Sequence, residues 1–190
     1  MAVTQTQEIY QQKFTQSKGF AQGNSDLTEC SFTDCDLMEV RFTGILENCS
    51  FSGCNLSLAG FEGAKLQDVK FSACKLEGID FTKVNALGLA ISFHGCLIRN
   101  CNFSFLELKG TAFIECEIAD TDFIGSRLQE SSFAQTTFRH VTFHETDLRK
   151  ADFTQATGYL INPLTCNLKA ARFSLPDAVV LLEEMGIVLE

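Results

Sequence analysis

The sequence predicts an all-β solenoid: one domain in which short extended segments wind into stacked coils. Three observations predict it. A large apolar residue returns at every fifth position, as in "CSFSGCNLSLAGFEGAKLQDVKFSACKLEGIDF" over 49–81, where Phe51, Leu56, Phe61, Leu66, Phe71, Leu76 and Phe81 carry the beat. The position two before each of these centres holds a mostly small residue. Between 25 and 153 no Asp, Glu, Lys or Arg occupies either slot. A helix repeats its apolar face about every 3.6 residues and a strand about every 2, so this beat belongs to neither alone. Two positions in each pentad point inward, one large and one small, and three point to water. A short extended piece followed by a tight corner gives that division, so each pentad forms one side of a coil. Coils stack through backbone hydrogen bonds ~4.8 Å apart. A single coil cannot bury its own apolar face, which makes stacking obligatory.

Residues 1–22 read as an N-terminal cap, with Ile9 and Phe14 as plugs for the open core and strand edges of a solenoid end. Residues 23–174 read as the repeat domain. Its first frame runs Leu27, Phe32, Leu37, Phe42. One residue is then missing, and the frame resumes at Leu46 and continues to Phe81. It blurs through Ala86 and Ile91 and restarts two residues out of phase at Phe93. From there it runs through Ile98, Phe103, Leu108, Phe113, Ile118, Phe123, Leu128, Phe133, Phe138, Phe143 and Leu148 to Phe153. Gly158 and Pro163 interrupt it, and Leu168 and Phe173 fall back in frame. The composition agrees: 18 Phe, 2 Tyr and no Trp describe one kind of slot filled many times.

Residues 175–190 read as a C-terminal helix and tail that cap the last coil and dimerise. "SLPDAVVLLEEMG" carries an S-x-x-D capping pattern in Ser174 and Asp177, Pro176 in the first turn and Gly186 at the stop. Its apolar content exceeds what one buried face needs. Leu181, Leu182, Met185, Ile187 and Leu189 are therefore expected at a two-fold homodimer interface.

Nine cysteines invite a disulfide or metal reading, and the register argues against it. Cys30, Cys35, Cys49, Cys54, Cys74, Cys96, Cys101, Cys116 and Cys166 all fall in the small inward slot, and no C-x-x-C occurs. Buried free thiols behave as small hydrophobes. His94, His140 and His144 fall outside the inward slots, without a carboxylate or cysteine at fixed spacing. No nucleophile elbow, phosphate loop or dinucleotide fingerprint appears. A rod filled with side chains has no substrate cleft. The expectation is a non-enzyme without catalytic residues, metal or cofactor. The N-terminus has neither a basic start nor an apolar stretch, and no apolar run approaches a membrane span of ~18 residues, so the protein is expected in the cytoplasm.

Net charge is −9, which disfavours direct contact with nucleic acid or membrane and favours basic partners. Over 24–62, seven acids (Asp26, Glu29, Asp34, Asp36, Glu39, Glu47, Glu62) face one base, Arg41. A second acidic run, "ECEIADTD", holds Glu115, Glu117, Asp120 and Asp122. We take Asp34, Asp36, Glu115, Glu117, Asp120 and Asp122 as the candidate partner-binding surface.

"ADFTQ" (151–155) and "CNLSL" (54–58) match the A(D/N)LxX motif, and over roughly 25–174 the chain resembles the pentapeptide-repeat proteins. The resemblance implies a right-handed quadrilateral β-helix with four pentads per coil. With four sides, the alternation of Phe with Leu or Ile places Phe on two opposite faces. The C-terminal stretch from "ETDLRKADF" onward and the central "ALGL" (86–89) resemble the Qnr-type quinolone-resistance and microcin B17 immunity proteins. That resemblance implies a dimeric DNA mimic that binds DNA gyrase or topoisomerase IV and protects it from quinolones or a peptide toxin. The Qnr type carries two larger projecting loops, whereas this chain shows a one-residue deletion after Phe42 and a short irregularity near 86–95. The rival expectation is a non-catalytic interaction rod with an unrelated partner, since one fold serves many functions.

Overall fold

The computed structural model describes residues 6–18 and 25–188. The pentads form a parallel β-solenoid of about eight turns with four faces. On the first face, strands β1 (Gln7–Tyr10), β2 (Ser25–Thr28), β3 (Ile45–Glu47) and β4 (Lys65–Gln67) pair in parallel, stacking Ile9, Leu27, Leu46 and Leu66. The second face is a six-stranded ladder from Lys13–Thr15 to Phe113–Ile114. The third pairs Lys75–Glu77, Leu97–Arg99, Glu117–Ala119 and Thr137–Arg139. The fourth is held by single bridges, such as Asp80 to Asn102 and Asn102 to Asp122. β1 and Lys13–Thr15 join the first and second ladders in parallel register, and Ile9 and Phe14 pack against the core.

The two opposite phenylalanine faces are present. Phe14, Phe32, Phe51, Phe71, Phe93, Phe113, Phe133, Phe153 and Phe173 form one stack with ring centroids 4.6 to 5.2 Å apart. Phe42, Phe61, Phe81, Phe103, Phe123 and Phe143 form the other at 4.5 to 5.9 Å. The stacks meet edge to face, as Phe113 and Phe123 do at 5.4 Å and 90°. Offset stacking along each ladder and T-shaped contact between ladders both suit the ring quadrupole. Leu and Ile centres fill the remaining two faces. Phe138 is the exception: it stands above Ile118 on an aliphatic face, tilted against Phe133.

The two irregularities are short. After Phe42 the corner is one residue shorter, and the Asp26 carboxylate closes it by accepting the Ile45 N–H at 2.7 Å. Between Asn85, bridged to Lys65, and Ile91, paired with Val69, the chain holds two extra residues. This corrects the sequence frame. Ile91 is a small-slot residue, buried opposite Val69, and Ala86 is exposed; Leu89 packs against the core instead. The loop lifts Leu87 into solvent.

All nine cysteines are free and buried. Several thiols donate to an inward backbone carbonyl of the coil below: Cys49 Sγ to Leu27 O at 3.3 Å and Cys54 Sγ to Phe32 O at 3.4 Å. Hydroxyls take the same role higher up, with Thr136 Oγ1 on Phe113 O at 2.6 Å. The small slot thus carries a weak or strong donor where a buried carbonyl needs one. Burial pushes the Cys49 and Cys101 thiols up to about 11.

At the C-terminal end Gly158 replaces a centre. A Cβ there would lie 2.3 Å from Phe138 O, and its φ is +73°. Tyr159 enters beside it and packs against Phe138, Phe153 and Phe173. The terminal helix is shorter than expected: a 3-10 turn over Asp177–Val179 leads into α1 (Val180–Glu184). The S-x-x-D pattern does not cap it. Ser174 Oγ instead accepts the Gln155 N–H at 3.0 Å, serving the preceding coil. Gly186 does end the helix at φ +78°, with its N–H on Glu183 O and the Ile187 N–H on Leu182 O.

Candidate interaction surface

The filled interior leaves the outside as the working surface. Concave areas among the described residues are open grooves between surface side chains, such as the one bordered by Glu39, Arg41, Leu58, Glu62, Asp80 and Lys83. No group of three or more His, Cys, Asp or Glu is placed to hold a metal ion among the described residues. No helix among them is long and apolar enough to cross a membrane.

Coil register sorts the candidate acids into two corners. Asp34 and Glu115 sit two residues after the second-face centres Phe32 and Phe113. Asp36 and Glu117 precede centres of the third face, linked rung by rung through Asn55, Lys75 and Leu97. The four therefore share one corner, with the two pairs roughly 19 Å apart along the axis. Asp120 and Asp122 occupy the next corner. All six are exposed.

Their partners differ. The Glu117 carboxylate is 2.6 Å from Arg99, and Glu115 is 3.6 Å from His94. Asp120 lies 3.1 Å from His140 and 3.6 Å from Arg139. The histidines therefore do have carboxylate neighbours, contrary to the linear sequence. Asp120 and His140 are twenty residues apart in sequence and one coil apart in space. Asp122 has no ion pair among the described residues. Among the described residues, none of the acids between 25 and 64 has a basic partner within ion-pair distance. Asp36 receives the Asn55 amide at 3.1 Å and Glu29 the Gln11 amide at 2.7 Å. Ion pairs instead lace the later coils: Glu107–Arg127, Glu130–Lys150, and Asp147–Arg149, where the guanidinium holds the Asp147 carboxyl below its usual range. Exposed pairs contribute only ~0–1 kcal/mol each to stability. Their effect here is on the field: the negative potential is concentrated on the N-terminal coils.

A family profile described as a pentapeptide repeat region matches residues 25–103 and 91–174. The chain belongs to the pentapeptide-repeat family. No curated protein sequence matches the chain significantly. Among solved structures, a trypsin-treated form of QnrB1, described as a plasmid-mediated fluoroquinolone resistance protein, aligns with TM-score 0.65 at 14% identity. The alignment covers 98% of this chain and 100% of that one. HetL from the cyanobacterium Nostoc sp. strain PCC 7120, described as involved in heterocyst differentiation regulation, aligns with TM-score 0.50 at 13% identity. That alignment covers 87% of this chain and 84% of HetL. At these identities the likeness is one of fold.

Four of the expected dimer residues, Leu181, Leu182, Met185 and Ile187, lie at the C-terminal end. Leu181 packs against the core, while Leu182, Met185 and Ile187 are exposed by 40 to 47%. Leu189 lies outside the described residues. Leu160, Leu164, Leu175 and Val188 are exposed as well. None of these four is among the expected dimer residues, and the first three fall where the five-residue beat lapses or just after it ends.

Proposed function

We propose that this pentapeptide-repeat protein is a DNA mimic that docks in the basic DNA-binding groove of a type II topoisomerase, DNA gyrase or topoisomerase IV, and protects it from quinolones or a peptide toxin. The observation that carries the reading is the run of acids without basic partners on the first coils of a solid rod. Duplex DNA is also a rod with regularly spaced negative charge. About eight turns at ~4.8 Å span roughly 38 Å. Two such rods joined at the exposed apolar C-terminal ends would span roughly 75 Å, about twenty-two base pairs. Asp34 and Asp36 are the principal contacts, since Glu117 and Asp120 already face Arg99 and Arg139 of their own chain. The protein does no chemistry in this role.

The test is gyrase supercoiling with and without ciprofloxacin, titrating the protein. Restored supercoiling in drug, lost in Asp34→Lys/Asp36→Lys and kept in Glu117→Gln, is the expected result. Neither protection nor inhibition at any concentration would overturn the reading. The alternative is a non-catalytic interaction rod with an unrelated partner. It is favoured by the loop at 85–91, which adds only two residues, and by the regulatory description attached to HetL.

A further inference from the structure

Five thiols form a column inside the corner between the second and third faces: Cys35, Cys54, Cys74, Cys96 and Cys116. Their backbones are in register. The carbonyl of each of the first four accepts an N–H from the next coil: Asn55 to Cys35 at 3.0 Å, and Lys75 to Cys54, Leu97 to Cys74 and Glu117 to Cys96, each at 2.9 Å. Their side chains lean the same way, and those of Cys35, Cys54 and Cys96 also reach a phenylalanine carbonyl of the coil below at 3.4 Å. Each Sγ lies 3.3 to 3.5 Å from the carbonyl oxygen two residues before it. Groups with the same orientation on in-register parallel strands repeat at the strand spacing, so successive sulfurs stand ~4.8 Å apart. A metal–thiolate bond is ~2.3 Å, and two in line span ~4.6 Å.

We propose that this column binds a soft monovalent d10 cation, Cu(I) or Ag(I), in linear two-sulfur sites between successive rungs. Thiolates select soft ions of this kind. Two S–H groups lose their protons to solvent and two S–M bonds form, giving an S–M–S unit of charge −1 with no change of oxidation state. A straight column of thiols does not close round an ion as a tetrahedron, and among the described residues no group of three or more His, Cys, Asp or Glu is placed to hold a metal ion. With both pairs of the five-thiol column filled, Cys74 remains as an S–H group between them. Metal enters when the coil wall opens locally. Five stacked thiols hold two non-overlapping pairs. Cys30 and Cys49, also in register through the Ser50 N–H on Cys30 O at 2.9 Å, hold one more. Cys101 and Cys166 have Thr121 and Thr146 as rung neighbours in their own columns, and no cysteine.

The experiment uses the full-length reduced protein under argon in chloride-free buffer, incubated with Ag⁺, desalted and read by native mass spectrometry. The folded chain should retain up to three silver ions. Cys54→Ser/Cys96→Ser, which leaves no two adjacent thiols in the column, should lose two of them. Cys74→Ser should lose none, because the pairs Cys35–Cys54 and Cys96–Cys116 survive. Cys101→Ser/Cys166→Ser removes two thiols and should also lose none. Serine already fills the same slot at Ser126 and Ser131, and circular dichroism checks the fold. If the serine variant unfolds, Cys54→Ala/Cys96→Ala replaces it, as alanine fills the slot at Ala59 and Ala64. No silver on the folded chain, or silver that follows the number of thiols whatever their position, would overturn the proposal.

Discussion

Phe103 stacks on Phe81 at 4.5 Å and on Phe123 at 5.0 Å, and meets Phe93 and Phe113 edge to face. Phe103→Ala removes a fully buried ring from the middle of one stack and its edge contacts with the other. The neighbouring coils are tied by backbone bonds and cannot collapse into the space. The expected loss is ~3–5 kcal/mol, read by urea unfolding. Tyr159 is the opposite case. Its hydroxyl is buried without a hydrogen-bond partner. Tyr159→Phe removes a polar group that costs ~1–3 kcal/mol to leave unsatisfied, so the variant should be at least as stable as the parent near neutral pH. Burial, with the Asp177 carboxylate second, raises the phenol to about 12. From an unfolded value near ~10 up to that value, the folded chain keeps a proton that the unfolded chain has lost. Stability therefore falls as pH rises through that window. The advantage of Tyr159→Phe should widen between pH ~9 and ~12. A constant difference across that range would contradict the burial of the hydroxyl.

At the scale of the element, coil length decides which residues meet. The coil from Phe71 to Phe93 holds two residues more than its upper neighbours, and both belong to the exposed loop at 86–90. Removing Leu87 and Gly88 restores the spacing without cutting a ladder hydrogen bond. The thermal midpoint of that deletion should stay level or rise, because a shorter loop costs less to close. If the same deletion abolished topoisomerase protection while leaving the fold intact, the loop would be a contact. A large drop in midpoint would instead mean that Leu89 needs the loop to reach the core.

Across the whole molecule, charge and apolar surface are segregated. The acids over 25–64 lack cationic partners among the described residues, most ion pairs lie in later coils, and exposed Leu182, Met185, Ile187 and Val188 gather at the far end. This polarity fits two rods joined tail to tail with acidic ends outward. Leu182→Asp should convert a particle of twice the chain mass into a monomer by light scattering. It should leave the thermal signature of the solenoid in place, since that side chain is not part of the core. A parent protein that is already monomeric at high concentration would refute the joined-rod length.

The five-residue beat by itself determined the filled solenoid and the inward cysteines, while the two phenylalanine faces needed in addition the four-sided coil that the family resemblance implies. Slot occupancy is a local matter of size and polarity, and each pentad states it again. The neighbours of an outward residue, by contrast, lie about one coil away, and that distance changes with every deletion or insertion. The pairing of Asp120 with His140, the burial of Ile91 opposite Val69 and the presence of Phe138 on an aliphatic face were settled only when the coils stacked. The same holds for the acids: composition shows how many there are, but only register determines which of them meet a cation.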